Sequence, residues 1–447
     1  MRLNSDISGK YWDQLLRKYP EDALQDHQNM CAEIAAKGLT YADRIVPCVL
    51  KPNAISTDNV SQIQQSSVTI VNAVEKVTAY LLSEPEHPWW QSISASLKAL
   101  LQIQTPLNRH LQVARLDGCV SPSGNIYYLE CNGDSPAGFA YAELMEKALL
   151  KTRIAAKFKA KYPIKRDEYL RRFCSRMLKA YYQCRDNKPN IAITDWRDVK
   201  TLAEFRLIAD KLEARGYSTV ICDPRDFRYR QGNLYCKDKI IDMVYRRVIL
   251  DELAQREGQC KDFIKAVKEQ AVVVVNPFIS AIASCKQLLA RIRMGEFNEL
   301  LTANEIKTIR KHIPFTYRLN TESFKTGNQT YDTLTYTLEH QDKLVIKPMR
   351  AYGGKDIHFG SLLGKRQWKD LITAIRKDHY ICQKLVKIPE TGIPVFTPDM
   401  KFTQMNIITN PFIVGGDYGG CLTRLAHNKV VNIGTGGMVQ ATFTLKV

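Results

Sequence analysis

The spacing of apolar positions changes several times along this 447-residue chain, and each change predicts a change of element. Over residues 11 to 37, Trp12, Leu15, Leu16, Met30, Ile34 and Ala35 recur at helical spacing, and Gly38 supplies a left-handed stop. Residues 60 to 82 and 93 to 103 predict two more helices. From residue 111 the period drops to two. Residues 111 to 120 alternate, Ser121-Pro122-Ser123-Gly124-Asn125 is turn chemistry, and residues 126 to 131 alternate again, which predicts a β-hairpin. A helix is predicted over 140 to 161. Beyond Asn190, short apolar strands at 191–193, 218–222, 240–245 and 271–275 are interleaved with helical pattern such as 202–215, closed by Gly216. Strands separated by helices imply a mainly parallel sheet. Residues 280–293 and 303–311 read as helices. Past residue 340 come short strands and clustered glycines, with no internal repeat.

Composition narrows the class. Apolar residues make up 45% and charged residues 25%, which is globular rather than disordered. No apolar run approaches the roughly 18 residues of a membrane span, and Met1 to Asp6 lacks the apolar core of a signal peptide. Twelve single cysteines with no C-x-x-C pair argue against a zinc ribbon and fit a reducing, cytoplasmic setting. The net charge of +18 suits polyanionic partners, nucleotides or nucleic acid. Basic residues are spread along the whole chain without a basic run or zinc-finger spacing, which disfavours nucleic acid.

Four segments carry candidate chemistry. Residues 344 to 355 read as an apolar strand ending in Lys347, then a loop with Gly353, Gly354 and Lys355. Glycines admit phosphate oxygens to backbone N–H groups and lysine adds a compact countercharge, although a Gly-Gly-Lys turn alone is commoner than a phosphate cradle. The return strand of the hairpin holds Glu130 and Asn132 two residues apart on one face, hard oxygen donors of the kind Mg²⁺ takes. Arg246 and Arg247 end a predicted parallel strand, where α/β sheets bind ligands. Arg424 lies on a strand before the loop Gly434-Thr435-Gly436-Gly437, and arginine grips carboxylate or phosphate with two donors.

The order of these segments is more telling than any one of them. R-x-D at 115–117, E-x-N at 130–132, Y-R-R at 245–247, a helix lysine, K-P-x-x-x-x-G-G from Lys347, then T-R and G-x-G-G resembles the circularly permuted ATP-grasp ligases. The likeness is to the branch of eukaryotic-type glutathione synthetase and glutathionylspermidine-synthetase-like proteins, and runs from about residue 111 to the C-terminus. It implies an α/β ATP-grasp fold. Residues 1–185 would form a helical N-terminal region with the metal-binding hairpin, 186–278 an α/β substrate lobe, and 279–447 the ATP-grasp lobe and lid. It implies Mg²⁺ on Glu130 and Asn132. ATP would meet Lys286, Lys347, the lid Tyr352, Gly353, Gly354 and Lys355, and an adenine edge at Gln383, Lys384 and Leu385. The substrates would meet Arg115, Asp117, Ser135, Arg247, Arg424, Gly436 and Gly437, with Arg115, Arg247 and Arg424 as the catalytic arginines.

The implied activity is ATP-dependent carboxylate–amine ligation through an acyl phosphate, releasing ADP and phosphate. Its partners would be ATP, a small anionic carboxylate and an amine, with no membrane, and a homodimer is allowed. Positioning and charge neutralisation suffice for phosphoryl transfer, consistent with the lack of a G-x-S-x-G nucleophile motif. Two positions depart from glutathione synthetases: Ala351 stands where they carry a metal-binding glutamate, and Ala426 where they carry a nucleotide lysine. Asp399 and Asn406 are candidates for the missing ligand. The alternatives are a catalytically impaired ATP-grasp protein serving as a nucleotide-responsive binding module, and a basic nucleic-acid-binding protein.

Overall fold

In the computed structural model, residues 3–41, 44–121, 123–351, 353–396 and 400–446 are described. The first helical stretch is two helices, Leu3–Lys18 and Pro20–Ala36. Pro20 has no N–H to continue the first helix, but its fixed φ suits the first turn of the second. Gly38 closes that second helix at φ +63°, with Gly38 N–H donating to Ala35 O at 2.8 Å and Leu39 N–H to Ile34 O at 3.1 Å. The helix expected over 140–161 likewise divides, into Phe139–Leu150 and Arg153–Lys159, because the Thr152 side chain caps the second by accepting from Ala155 N–H. The segment 280–293 starts as a 3₁₀ helix, Phe278–Ser284, and becomes α-helical at Lys286–Met294. No helix among the described residues is long and apolar enough to cross a membrane.

Three sheets frame the molecule. The first is antiparallel, in the order Met438–Gln440, Asp417–Ala426, Lys401–Val414, Val113–Val120, Ile126–Asn132, with Glu390–Val395 pairing the first half of Lys401–Val414. The second is the parallel sheet expected from the strand–helix alternation, in the order Val273–Val275, Met243–Arg246, Ile191–Thr194, Thr219–Cys222. Residues 240–245 are not one strand. Lys239–Ile241 closes a small meander, and Asp242 then turns the chain by accepting from Asn190 N–H and Asn187 Nδ2 before Met243–Arg246 begins. The third sheet, Thr316–Arg318, Tyr380–Lys384, Leu344–Pro348, His358–Phe359, carries the lysine strand.

The long helix Thr57–Ser83 lies in the core through Ile63, Ile70, Val74, Val77 and Leu81, a helical stripe that reaches the hairpin where Ser66 Oγ meets Tyr128 OH at 2.8 Å. The return-strand residues in that same core are Ile126, Tyr128 and then Cys131. The step from two to three is a β-bulge: Asp117 pairs with Glu130 but Gly118 with Tyr128, leaving Leu129 extra. Gly118 is needed here, because a Cβ would lie 2.3 Å from Tyr127 O. The bulge turns Glu130 and Asn132 away from the core face that Ile126 and Tyr128 occupy. They share the opposite face with their cross-strand partners Asp117 and Arg115.

Candidate functional site

That polar face of the hairpin forms one wall of a cavity of about 580 Å³. Arg115, Asp117, Glu130, Asn132 and Ser135 line it from the hairpin and the turn beyond. Arg247 enters from the end of the parallel sheet, Lys286 from the first turn of its helix, and Lys347 and Gln383 from the third sheet. Gly353, Gly354 and Lys355 line it as well, with Lys384, Leu385 and the buried Arg424. Gly436 and Gly437 are not among the lining residues, and Tyr352 and Asp399 lie outside the described residues. Gly437 closes a tight turn instead, donating to Asn432 O at 2.9 Å where a Cβ would collide with that oxygen.

Asp117 is the centre of a charged fork. Arg115 donates to both its oxygens, Nε at 2.6 Å and Nη2 at 3.1 Å, and Arg424 Nη2 adds a third bond at 2.6 Å. Burial alone would raise the Asp117 carboxyl, but the two guanidinium groups outweigh it and hold it well below the usual carboxylate range. Arg115 is further fixed by Nη1 donating to Ala137 O at 2.7 Å, so its fork serves the protein. Arg424 retains a buried Nε with no partner. The Y-R-R pair divides at the strand's end, with Arg246 the last residue of Met243–Arg246 and Arg247 the first beyond it. Arg246, 0% exposed, clamps Asp134 and the Val248 carbonyl. Arg247 lines the cavity, held by Nη1 donating to Pro136 O at 2.7 Å, and its buried Nε has no partner. Ser135 Oγ donates to Arg247 O at 2.6 Å, which ties the hairpin exit to the parallel sheet.

The lysine side is different. Lys286 Nζ donates to Ala351 O at 2.9 Å and lies 3.3 Å from Glu130 Oε2. Lys347 Nζ donates to Gln383 Oε1 at 2.7 Å. Burial pulls the Lys347 ammonium down to about 8, against the opposing pull of Glu130. Gln383 in turn donates to Thr316 Oγ1 at 3.0 Å, so its side chain positions the lysine. The N–H groups of Lys384 and Leu385 are bonded to Phe315 O and Lys343 O, which engages two donors expected at an adenine edge. At the rim Gly354 packs on the opposite loop: a Cβ there, at φ +75°, would sit 2.4 Å from Val430 Cγ1.

Glu130 and Asn132 fit a hard divalent cation. Both offer oxygen, both line the cavity, and Asn132 Nδ2 is buried without a partner, so no hydrogen bond fixes which end of the amide faces the cavity. Ala351 contributes no carboxylate, and its carbonyl already accepts from Lys286. Asn406 lies away from the lining; its Nδ2 faces the carbonyls of Ala426, His427 and Asn428, holding a turn.

Several lining residues had no motif to mark them, Lys200, Glu252 and Arg256 among them. Lys429, three residues beyond the buried Ala426, brings a cation to the rim from a turn, and only the folded loop puts it there. Asp195 and Trp196 follow the parallel strand Ile191–Thr194, and their place at the C-terminal end of that strand was the available signal. Asp195 Oδ1 accepts from Trp196 N–H at 2.9 Å, and burial pushes its carboxyl up to about 6.

Comparison with known proteins agrees with this geometry. The family model for the circularly permuted ATP-grasp type 2 proteins matches residues 91–426. Among solved structures, a glutathione-synthetase-like effector from Globodera pallida, in its apo form, aligns with TM-score 0.63 and 14% identity over 95% of this chain and 97% of its own. A candidate γ-glutamylcysteine synthetase from Methylobacillus flagellatus KT aligns more loosely, with TM-score 0.43 and 12% identity over 85% of this chain and 88% of its own. No curated protein sequence matches. With well over half its length matched and the cavity built from the segments whose order suggested it, the chain belongs to the circularly permuted ATP-grasp family, whose chemistry is ATP-dependent ligation of a carboxylate to an amine through an acyl phosphate.

Proposed function

We propose that this chain is a glutathione-synthetase-like ligase that activates a small anionic carboxylate with MgATP and joins it to an amine. The observation that carries the reading is a surplus of buried positive charge. Lys286 and Lys347, 9% and 7% exposed, face one carboxylate, Glu130, and two neutral oxygens, Ala351 O and Gln383 Oε1. A buried ammonium without full compensation is unfavourable, and a triphosphate would neutralise both. Glu130 and Asn132 would hold Mg²⁺, which when bound supplies charge neutralisation at the phosphoryl oxygens. Arg247 and Arg424 would bind the carboxylate substrate, each keeping an unpaired buried Nε while a terminal nitrogen is anchored to the protein. The rim contact between Gly354 and Val430 suits a lid that excludes water from an acyl phosphate, which hydrolyses readily.

The test is ADP release over a panel of carboxylates and amines, with mass detection of the amide. Glu130→Ala should abolish single-turnover acyl-phosphate formation, and a wild-type rate in that variant would remove Glu130 from the metal site. The impaired-module reading draws on one observation, the methyl group of Ala351 at the position of the missing metal carboxylate. Tight Mg²⁺-dependent ATP-analogue binding with no ADP release from any pair would favour it.

A further inference from the structure

A second group of reactive side chains lies away from the cavity. His27 and Cys31 are four residues apart on the helix Pro20–Ala36 and so share one face. His27 Nε2 lies 3.7 Å from Cys31 Sγ, and Cys31 Sγ lies 3.0 Å from Cys48 Sγ. The imidazole is steadied by stacking on Phe396, ring centroids 4.6 Å apart. Cys31 is half-buried, whereas Cys48 is buried. From these contacts we infer that Cys31 and Cys48 form a peroxide-sensitive thiol pair, with His27 as the group that activates Cys31.

The chemistry follows from the difference between the two thiols. The hydrogen bond from Cys48 and the adjoining His27 bring the Cys31 thiol down to about 5, and its contact with Cys31 and its own burial push Cys48 up. Cys31 is therefore the thiolate and the nucleophile. Its sulfur attacks one oxygen of a hydroperoxide and the O–O bond breaks. Hydroxide leaves with the bond's electrons and is protonated to water by solvent, while the transferred OH makes Cys31 a sulfenic acid. Cys48 sulfur then displaces the sulfenic oxygen, which departs as a second water with the Cys48 proton, and the S–S bond forms. The sulfurs need only close from 3.0 Å to about 2.05 Å. The bond would tether the helix Pro20–Ala36 to a segment that reaches the active cavity. Cys48 bridges Val439, which pairs with Arg424, and Tyr41 of the same segment lines the cavity.

The experiment uses the reduced full-length chain and hydrogen peroxide near neutral pH. The expected product is about 2 Da lighter, with Cys31 and Cys48 in one cross-linked peptide. Cys48→Ser should instead leave a Cys31 sulfenic acid that dimedone traps, and His27→Ala should slow Cys31 alkylation by iodoacetamide about tenfold. Hydrogen exchange across residues 20–36 should slow in the oxidised form. Preferential cross-linking of other cysteines would overturn the proposal, as would Cys31 alkylation no faster than that of the other half-buried thiols. Stoichiometric zinc that survives dialysis, blocks both thiols and is lost in Cys31→Ser would also overturn it, making the cluster a metal site. Unchanged exchange in residues 20–36 would remove the tether.

Discussion

On one side of the cavity two arginines converge on a carboxylate; on the other two lysines converge on mostly neutral oxygens. Arg115 and Arg424 share Asp117 through three bonds between 2.6 and 3.1 Å. Lys286 and Lys347 meet Ala351 O, Gln383 Oε1 and the partly exposed Glu130. The first side is tied by three charge-assisted bonds before any ligand arrives, although two guanidinium groups on one carboxylate leave one positive charge over. The second has the same formal surplus but meets its carboxylate only through Lys286, at 3.3 Å, while Lys347 rests on a neutral amide oxygen. The difference separates a framework that orients a substrate from a site whose energy improves when an anion enters. Within the protein Asp117 organises the arginines, and Arg424 Nε is left without a partner.

Removing the charge at the centre of the arginine side should have the largest effect. Asp117→Asn leaves two buried guanidinium groups without their counterion, and breaking a buried pair costs about 3–5 kcal/mol. Urea denaturation should show that loss, and wild-type stability would mean the fork does not organise the wall. The Asp117 carboxyl is depressed in the fold. Its contribution is therefore complete above the unfolded carboxylate value of about 3.9 and disappears only as pH falls through the lower folded value.

The lysine side should respond with the opposite sign. Lys347→Met removes a desolvated charge, so thermal stability should hold or rise. ATP-analogue affinity should fall by roughly 10- to 150-fold, the equivalent of a charged hydrogen bond. Loss of stability with unchanged affinity would make Lys347 a structural residue. Its pH signature follows from a folded value of about 8, below the unfolded value of about 10.4. Between those values the unfolded chain holds more protons, so this residue's contribution to stability grows as pH rises. Nucleotide affinity should run the other way and begin to fall above about pH 8, and the Met variant should lose that dependence.

Arg424→Lys should be the mildest perturbation. It keeps a charge beside Asp117 but loses the planar fork, so stability should drop less than in Asp117→Asn. The KM of the carboxylate substrate should rise about tenfold, with that of ATP nearly unchanged. A parallel rise of both would place Arg424 in the framework rather than at the substrate.

Much of the fold was legible because periodicity records burial directly. The parallel strands were visible as apolar runs between turn residues, and the hairpin as two alternating stretches around Ser121–Asn125. Boundaries set by one side chain were less visible. Thr152 as a cap and Asp242 as a strand breaker act through hydrogen bonds to groups the sequence does not display. Of the cavity, Arg115, Arg247, Lys286, Lys347, Lys355 and Arg424 were legible through motif order, whereas Lys429 and Asp195 belong to no motif and enter only through their loops.

The sequence by itself determined which chemical groups this protein owns and in what order they come, because glycine loops, an apolar lysine strand and an E-x-N strand end are local features. Tertiary structure alone decided which way those groups point. Plain alternation would leave Ile126, Tyr128, Glu130 and Asn132 on one face, and the extra residue Leu129 turns the last two out of the core and opposite Asp117 and Arg115. The same holds for Arg246 and Arg247, adjacent in the chain, one sealed around Asp134 and the other facing the cavity. A strand fixes alternation within itself. Which face meets the core and which meets the ligand depends on what packs against it, and that is a property of the whole fold.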